Sequence, residues 1–302
     1  MAFRIKRKKT VQKNLRRIAK EQIDRAIGEI LDERVERHET VHQVRKRCKK
    51  LRGLIRLVRP GFKDYPRENQ FFRDAARELS YVRDAQSMIE CFDCLVDHFA
   101  AQVNREAFAS IRRQLAERRQ KITDDRVGLD RRLDQFLAKM REARQRIGSW
   151  KIKDDGFAAV ESGLRKTFGR GRRALREAYE NPGDACLHEF RKRTKYHWYH
   201  VRLLRPIWSD MLSVQCQAAD DLSDLLGDDH DLAVLRTALL AEPDQFGSET
   251  DTQALVGLID RRRIEVQAEA RPLGERLFAE EPSQLAHRFR SYWETWNSLR
   301  ER

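Results

Sequence analysis

Hydrophobic residues recur every three or four positions along most of the chain, and no segment shows the two-residue alternation that is typical of a β-strand. In residues 11–38, for example, Leu15 and Ile18 fall near one face of a helix. Helix-favouring residues dominate the composition, and proline or glycine interrupts the pattern only at intervals, as at Pro60 and Pro182. The pattern therefore predicts an all-α fold.

The predicted helices form two series with a connection between them. Those of the first series span residues 11–38, 39–59, 68–101, 104–121 and 125–147. Those of the second series span residues 157–180, 184–205, 209–241, 250–280 and 283–300. Residues 149–156 are predicted to connect the two series, and residues 1–10 are predicted to form a basic tail.

One stretch of nineteen residues occurs twice, 146 positions apart. Residues 42–60 read HQVRKRCKKLRGLIRLVRP and residues 188–206 read HEFRKRTKYHWYHVRLLRP. A weaker match at an offset of 147 joins residues 79–84 to residues 226–231. Matches at a nearly fixed offset indicate an internal repeat. We therefore predict two pseudo-twofold-related bundles of about four helices each, with repeat one over 11–148 and repeat two over 157–302.

The residues that the two copies share are mostly cationic and lie on one side of a helix. Spacings of three and four residues place each set within about 100° of the helix circumference, and we call each set a cationic ridge. The first ridge contains His42, Arg45, Lys49, Arg52, Arg56 and Arg59, and the second contains His188, Arg191, Lys195, Arg202 and Arg205. Trp198 takes the position in the second ridge that Arg52 has in the first. Two facing ridges would form a trough suited to phosphate oxygens.

A row of charges on a helix is most often a solvated surface, and this interpretation stays open for both ridges. Between His42 and Arg59, however, there is no Asp or Glu, so the acidic neighbours that usually stabilise an exposed cationic face are missing. Repulsion between successive cations costs the empty helix on the order of 1–2 kcal/mol. Because the arrangement occurs twice, we expect a bound anion to offset this repulsion.

Charge and cysteine content restrict the possible partners and compartment. The chain has a net charge of +14, and residues 1–150 hold 38 of its 62 Lys and Arg but only 22 of its 48 Asp and Glu. This excess predicts a polyanionic partner such as nucleic acid, anionic lipid or another polymer. The sequence has no apolar stretch of about 20 residues to span a membrane and no signal peptide. With an odd number of cysteines, five, we expect a cytoplasmic protein with reduced thiols.

The His-x-x-Arg-Lys-x-x-Lys pattern that opens each ridge, duplicated in a helical chain, resembles the CHAD family, the conserved histidine α-helical domain. The resemblance runs from about residue 11 to the end, and includes the Leu-Gly-x-x-x-Asp element at residues 226–231 and the aromatic C-terminal helix. It implies two helical bundles whose basic helices line a central surface or pore that binds inorganic polyphosphate. It also implies that bacterial members can associate with polyphosphate granules.

The resemblance and the helical geometry together predict the polyphosphate-binding residues. These are His42, Arg45, Lys46, Lys49, Arg52, Arg56, Arg59, His188, Arg191, Lys192, Lys195, Arg202 and Arg205. Because Trp198 replaces a cation and residues 80–83 depart from the Leu-Gly form at residues 226–227, the two halves are not expected to bind equally. Some family members carry a triphosphate-hydrolysing domain with a Glu-x-Glu-x-Lys strand, which this sequence lacks, so the resemblance implies no hydrolysis.

A nucleic-acid-binding protein is the main alternative, because RNA presents the same phosphate oxygens. Few aromatic residues interrupt the ridges, whereas RNA readers use stacking platforms. An enzyme would need a P-loop, a metal-binding carboxylate cluster or a nucleophile with its base, and we identify none. Cys91 and Cys94 are expected to be core thiols, and Asp84 and Asp231 to anchor arginines. We therefore expect no catalytic residue, no cofactor and no metal.

Overall fold

The computed structural model describes residues 3–242 and 245–299. Within these residues the chain forms eleven α-helices and no β-strand, which confirms the all-α prediction. In chain order the helices are α1 (Val11–Leu31), α2 (Arg37–Leu57), α3 (Tyr65–Arg77), α4 (Ser80–His98), α5 (Ala109–Asp124), α6 (Arg126–Arg146), α7 (Ala158–Glu180), α8 (Asp184–Leu204), α9 (Ser209–Ala241), α10 (Glu249–Leu277) and α11 (Pro282–Ser298).

The helices of the second series begin and end within three residues of the predicted positions, and α9 matches its prediction at both ends. In the first series, α5 begins five residues after its predicted start, because Arg105–Phe108 forms a short 3-10 helix before it, and two further predictions were wrong. The first helix ends at Leu31 and not at residue 38, because the Asp32 carboxylate accepts a hydrogen bond from the backbone N–H of Arg34 (3.2 Å) and forms a turn there.

The helix predicted over residues 68–101 is also wrong, since two helices, α3 and α4, occupy this segment and are separated at Glu78 and Leu79. No glycine or proline marks the break. The Arg45 side chain of α2 donates a hydrogen bond from Nη1 to the Ala76 carbonyl at 2.5 Å. This bond gives a partner to a carbonyl in the last turn of α3, where helical partners are absent.

Two hydrophobic cores hold the helices together. The larger core combines side chains from α1, α2, α7 and α8 with others, and Leu15, Leu51, Phe168 and Phe190 are fully buried in it. The smaller core joins α4 and α5 to the C-terminal part of α9 and to α10. Each core thus contains side chains from both predicted repeats, and the division into two bundles stays a prediction. None of the described helices is long and apolar enough to cross a membrane.

The segments predicted as a basic tail and a connection both pack against helices. Phe3 and Ile5 are buried, and the Ile5 backbone N–H donates to the Leu203 carbonyl of α8 (3.0 Å). In the connection, Trp150 is fully buried with its ring 5.2 Å from that of Phe62, and its carbonyl accepts a hydrogen bond from Arg16 Nε of α1 (2.9 Å). The connection and the described part of the tail, from Phe3 onward, therefore belong to the folded structure.

The two duplicated helices, α2 and α8, contact each other. Their close approach depends on Gly53, because a Cβ atom at this position would lie only 2.8 Å from the Cβ of Tyr199. The His200 ring reaches the Gly53 carbonyl, with Nε2 at 3.2 Å. This packing brings side chains of both ridges to one region of the surface.

Candidate anion-binding site

A cavity of about 730 Å³ receives cations from both duplicated helices. Lys49 and Arg52 project into it from α2, and α9 completes its wall. The contribution of α8 consists of His188, Arg191, Lys192 and Lys195. Six of the thirteen predicted binding residues therefore surround one space, which we call the central cavity.

Lys49 is the cation most affected by this convergence. Its side chain reaches water through the mouth of the cavity, yet protein atoms surround much of it. This loss of surrounding water, followed by the positive charges of Arg45 and Arg191, lowers the pKa of Lys49 to about 8. A bound anion would reverse the electrostatic part of this shift.

Arg52 and Arg56 are held by a common acceptor on α3. The Asn69 Oδ1 atom accepts hydrogen bonds from Arg52 Nε (3.2 Å) and Arg56 Nη2 (3.1 Å). The Arg56 guanidinium also lies 4.0 Å from the centre of the Tyr196 ring. Because Arg56 is only 6% exposed whereas Arg52 lines the cavity, Arg56 supports the cavity wall from behind.

An arginine cluster extends from Arg56 toward the C-terminal end of α2. Arg56 Nε, Arg59 Nε and Arg59 Nη2 are buried and have no hydrogen-bond partner. Burial, and then the charges of Arg170 on α7 and of Arg56, lower the pKa of Arg59. In the part of the chain that the structure describes, none of these three arginines forms an ion pair. Arg170 was not among the predicted binding residues, because it lies on α7 and both ridges lie on other helices.

The cations at the N-terminal end of the first ridge lie outside the central cavity. Arg45 is bound to the Ala76 carbonyl, Lys46 is exposed, and His42 is half-buried. Burial and the charge of Arg83 lower the pKa of His42. Arg45 and Lys46 extend the positive surface, whereas His42 contributes an uncharged ring near pH 7, and none of the three lines the cavity wall.

The second ridge is divided between two cavities. Arg202 and Arg205 line a separate cavity of about 320 Å³, together with Lys50. Trp198 stands between the two groups, with Lys195 Nζ 4.2 Å and the Arg202 guanidinium 5.1 Å from the ring centre. The tryptophan identified in the sequence therefore interrupts the ridge as well as replacing a cation.

His188 faces a second histidine, His230 of α9, across 3.2 Å between their Nδ1 atoms. Burial lowers the pKa of both imidazoles to about 4, aided by the other ring for His188 and by Arg191 for His230. Both rings are therefore neutral near pH 7, and one donates to the other. Near pH 7, His188 therefore offers a hydrogen-bonding group and no charge.

Apart from Asp231, the acidic residues of α9 are the main feature that the sequence analysis missed. Asp224, Asp228 and Asp231 line the central cavity beside its cations. Asp220 accepts a hydrogen bond from Lys195 Nζ at 3.1 Å. The spacing of these four aspartates, four, four and three residues, could have revealed a common helix face. The positive charge of Arg191 acts on Asp231, whose role as an anchor of arginine stays a prediction.

Arg73 and Tyr196 also line the central cavity without having been predicted as site residues. Among the described residues, no group of three or more His, Cys, Asp or Glu side chains could hold a metal ion. Cys91 is half-buried beside the smaller core, as expected, but Cys94 is exposed, so the prediction of a core thiol is wrong for Cys94. Burial raises the pKa of both thiols.

Comparison with known proteins identifies the family. A search of curated proteins found no match. The family model of the CHAD domain matches residues 12–240, which extend from α1 into the last turn of α9 and include both duplicated helices. α10 and α11 lie beyond this match. Since the match covers more than half of the chain, this protein belongs to the CHAD domain family.

Proposed function

We propose that this protein binds inorganic polyphosphate without catalysing a reaction, through the central cavity between its duplicated helices. The observation that carries the proposal is that Lys49 and Arg52 of α2 surround the same cavity as Arg191 and Lys195 of α8. CHAD domains are generally associated with binding of polyphosphate or triphosphate. In this protein, we assign the binding of polyphosphate to the cationic side chains that line the central cavity.

The chemistry of the cavity suits closely spaced phosphates. Arg52 and Arg191 offer planar guanidinium groups for paired hydrogen bonds to phosphate oxygens, whereas Lys49 and Lys195 offer mobile point charges. Neither Arg52 nor Arg191 forms an ion pair with another described residue. These two arginines therefore have charge to offer an incoming anion.

A chain of phosphates fits the distribution of charge better than a single phosphate. Cations continue beyond the central cavity to Arg59 and Arg170 in one direction, past the buried Arg56. Lys46 extends the positive surface along α2 in the other, and His42, whose pKa is lowered, adds an uncharged hydrogen-bonding ring there. A linear polyanion could contact several of these groups at once, and each additional phosphate contact strengthens binding. We therefore expect affinity to increase with polyphosphate length.

The internal repeat belongs to the same proposal. Gly53 and Tyr199, which are equivalent under the offset of 146 residues, pack against each other. A local twofold axis passing between α2 and α8 would bring equivalent positions together in this way. Such an axis would also explain why cations of both copies meet in one cavity.

RNA is the alternative ligand, and the aromatic residues of α8 argue against it. Trp198 and Tyr199 are buried, and the Arg56 guanidinium covers one face of Tyr196. Single-stranded RNA binders usually present open aromatic faces on which bases stack. The cavity therefore offers contacts to phosphates with little provision for bases.

A binding competition at about physiological ionic strength tests the proposal. Polyphosphate and single-stranded RNA would be titrated against the unmodified protein, the double variant Arg52→Glu/Arg191→Glu, and the control Arg141→Glu on the exposed face of α6. We expect polyphosphate to displace RNA and the double variant to bind polyphosphate at least tenfold more weakly, because two contacts become repulsive. Stronger RNA binding, or a folded double variant with unchanged polyphosphate affinity, would contradict the proposal.

A further inference from the structure

The acidic face of α9 is unexpected in a site that attracts polyanions. Asp224, Asp228 and Asp231 line the central cavity, and Asp220 lies one helical turn before Asp224. Lys195 Nζ is 3.1 Å from Asp220 Oδ1 and 3.8 Å from Asp224 Oδ1. Part of the positive charge of α8 is therefore already engaged within the protein.

These aspartates interact with the cations predicted to bind the ligand. The positive charge of Arg191 acts on Asp224, Asp228 and Asp231, and that of Lys49 acts on Asp231. The pKa of all three carboxyl groups is nevertheless raised, first by the protein atoms that displace water from them. Neighbouring carboxylates add to this effect: Asp220 acts on Asp224, Asp231 on Asp228, and Glu90 on Asp231.

The fold alone does not explain these aspartates. Under the offset of 147 residues, Asp220 and Asp224 correspond to Arg73 and Arg77, which α3 carries in the first half. Arg73 lines the same central cavity. Equivalent positions of the two repeats thus carry opposite charges. Of these four residues, Arg73 and Asp224 line the cavity, which is positive toward α2 and α3 and acidic along α9.

We propose that Asp220, Asp224 and Asp228 restrain anion binding: Asp220 and Asp224 compete with the incoming anion for Lys195, and the negative charges of Asp224 and Asp228 reduce the positive potential around Arg191. This inference rests on the proposed function. Releasing Lys195 from the aspartates has a free-energy cost that does not depend on the ligand, so it weakens the binding of every anion by a similar factor. A ligand must deliver enough negative charge to the cavity to offset that cost.

Polyphosphate meets this requirement better than RNA because one oxygen joins its successive phosphates, whereas a ribose separates those of RNA. Within the length of the central cavity, polyphosphate therefore presents more phosphates to the same cations. The charge density of the ligand therefore decides which polymer binds more tightly, whereas the aspartates lower the affinity for both polymers. Their removal should strengthen the binding of both.

An anchoring role predicts the opposite result. If the aspartates only held Lys195 and Arg191 in binding conformations, their neutralisation would disorder these side chains and weaken binding. Asparagine retains the size of aspartate and some of its hydrogen bonding. Substitution of aspartate by asparagine therefore separates competition from anchoring.

The experiment compares the unmodified protein with Asp224→Asn/Asp228→Asn and with the control Asp134→Asn/Asp154→Asn, which removes the same charge at exposed positions outside the cavity. Affinities for long-chain polyphosphate and single-stranded RNA would be measured at one ionic strength, with thermal unfolding as a check of folding. We expect the cavity variant to bind both polymers about threefold more tightly than the control does.

Unchanged or weaker polyphosphate binding by the cavity variant, relative to the control, would overturn the inference while leaving the proposed function intact. A gain for only one of the two polymers would also overturn it, because the cost of releasing Lys195 is the same for both. If the unmodified protein does not bind polyphosphate, the proposed function itself fails. The same titrations thus distinguish failure of the inference about the aspartates from failure of the proposed function.

Discussion

Gly53 of α2 and Tyr199 of α8 stand 146 residues apart and pack directly against each other, with no space for a side chain on Gly53. A Cβ atom there would lie 2.8 to 2.9 Å from three atoms of the Tyr199 side chain. The rings of Tyr199 and Phe3 also pack edge to face, with 5.9 Å between their centres. The contact between the two ridge-bearing helices therefore tolerates little extra volume.

Gly53→Ala should consequently destabilise the protein even though alanine favours helices. We expect a loss of about 1–3 kcal/mol from overpacking, partly offset by about 1 kcal/mol of improved helix propensity. Gly28→Ala in α1 is the matched control, because no atom lies within 4 Å of its Cβ position. Urea denaturation should show the control unchanged or more stable. A Gly53→Ala protein as stable as the control would contradict the packing argument.

The lowered pKa of Lys49 predicts that polyphosphate affinity falls as the pH rises above about 8. A bound polyanion favours the charged ammonium and raises its pKa, so binding takes up a proton between the free and bound pKa values. Affinity should then decrease by up to about tenfold per pH unit. Titrations at pH 7, 8 and 9 measure this dependence. Lys49→Arg keeps its positive charge at all three pH values, so this variant should lose most of the pH dependence. If the variant shows the same pH dependence as the unmodified protein, the effect arises from another residue.

The buried His197 predicts a loss of stability in mild acid. Its ring lies between Phe168 and Phe278, 5.0 and 5.5 Å away, and burial lowers its pKa to about 3. The unfolded chain takes up a proton below its ordinary pKa of 6.5, whereas the folded protein does not until about pH 3. Unfolding free energy should therefore fall by about 1.4 kcal/mol per pH unit in this range for this residue. His200, also buried with a strongly lowered pKa, acts in the same direction.

His197→Phe isolates this contribution, because neither ring nitrogen of His197 has a hydrogen-bond partner. Between pH 7 and pH 5 we expect the variant to lose about 2 kcal/mol less stability than the unmodified protein. His287→Gln, at an exposed position on α11, should behave like the unmodified protein. If all three proteins lost the same amount of unfolding free energy, His197 would take up a proton in the folded protein as readily as in the unfolded chain.

Arg170 provides a test of the arginine cluster at the end of α2. Arg170→Gln should raise the melting temperature by about 1–3 °C, because it relieves repulsion with Arg56 and Arg59. The same change should weaken binding of long polyphosphate severalfold, since one cation along the proposed path is lost. Arg165→Gln on the exposed side of α7 serves as the control. A gain in stability without any loss of affinity would place Arg170 outside the binding path.

Helix bounds were predictable where the signals are local to the helix. Pro206 follows the end of α8, and Pro282 begins α11, so the sequence marks these ends directly. The break between α3 and α4 carries no such signal. It is accompanied by a hydrogen bond from Arg45 of α2, and such a contact becomes visible only in the tertiary structure.

The sequence by itself determined the helical class, the duplicated cations and their common face on each helix, because these follow from spacing along the chain. Only the tertiary structure decided which cations share a cavity. It separated Arg202 from Lys195 by Trp198 and placed the aspartates of α9 beside Arg191. Helical periodicity specifies the direction of a side chain about its own axis, whereas its neighbours depend on the packing of helices distant in sequence.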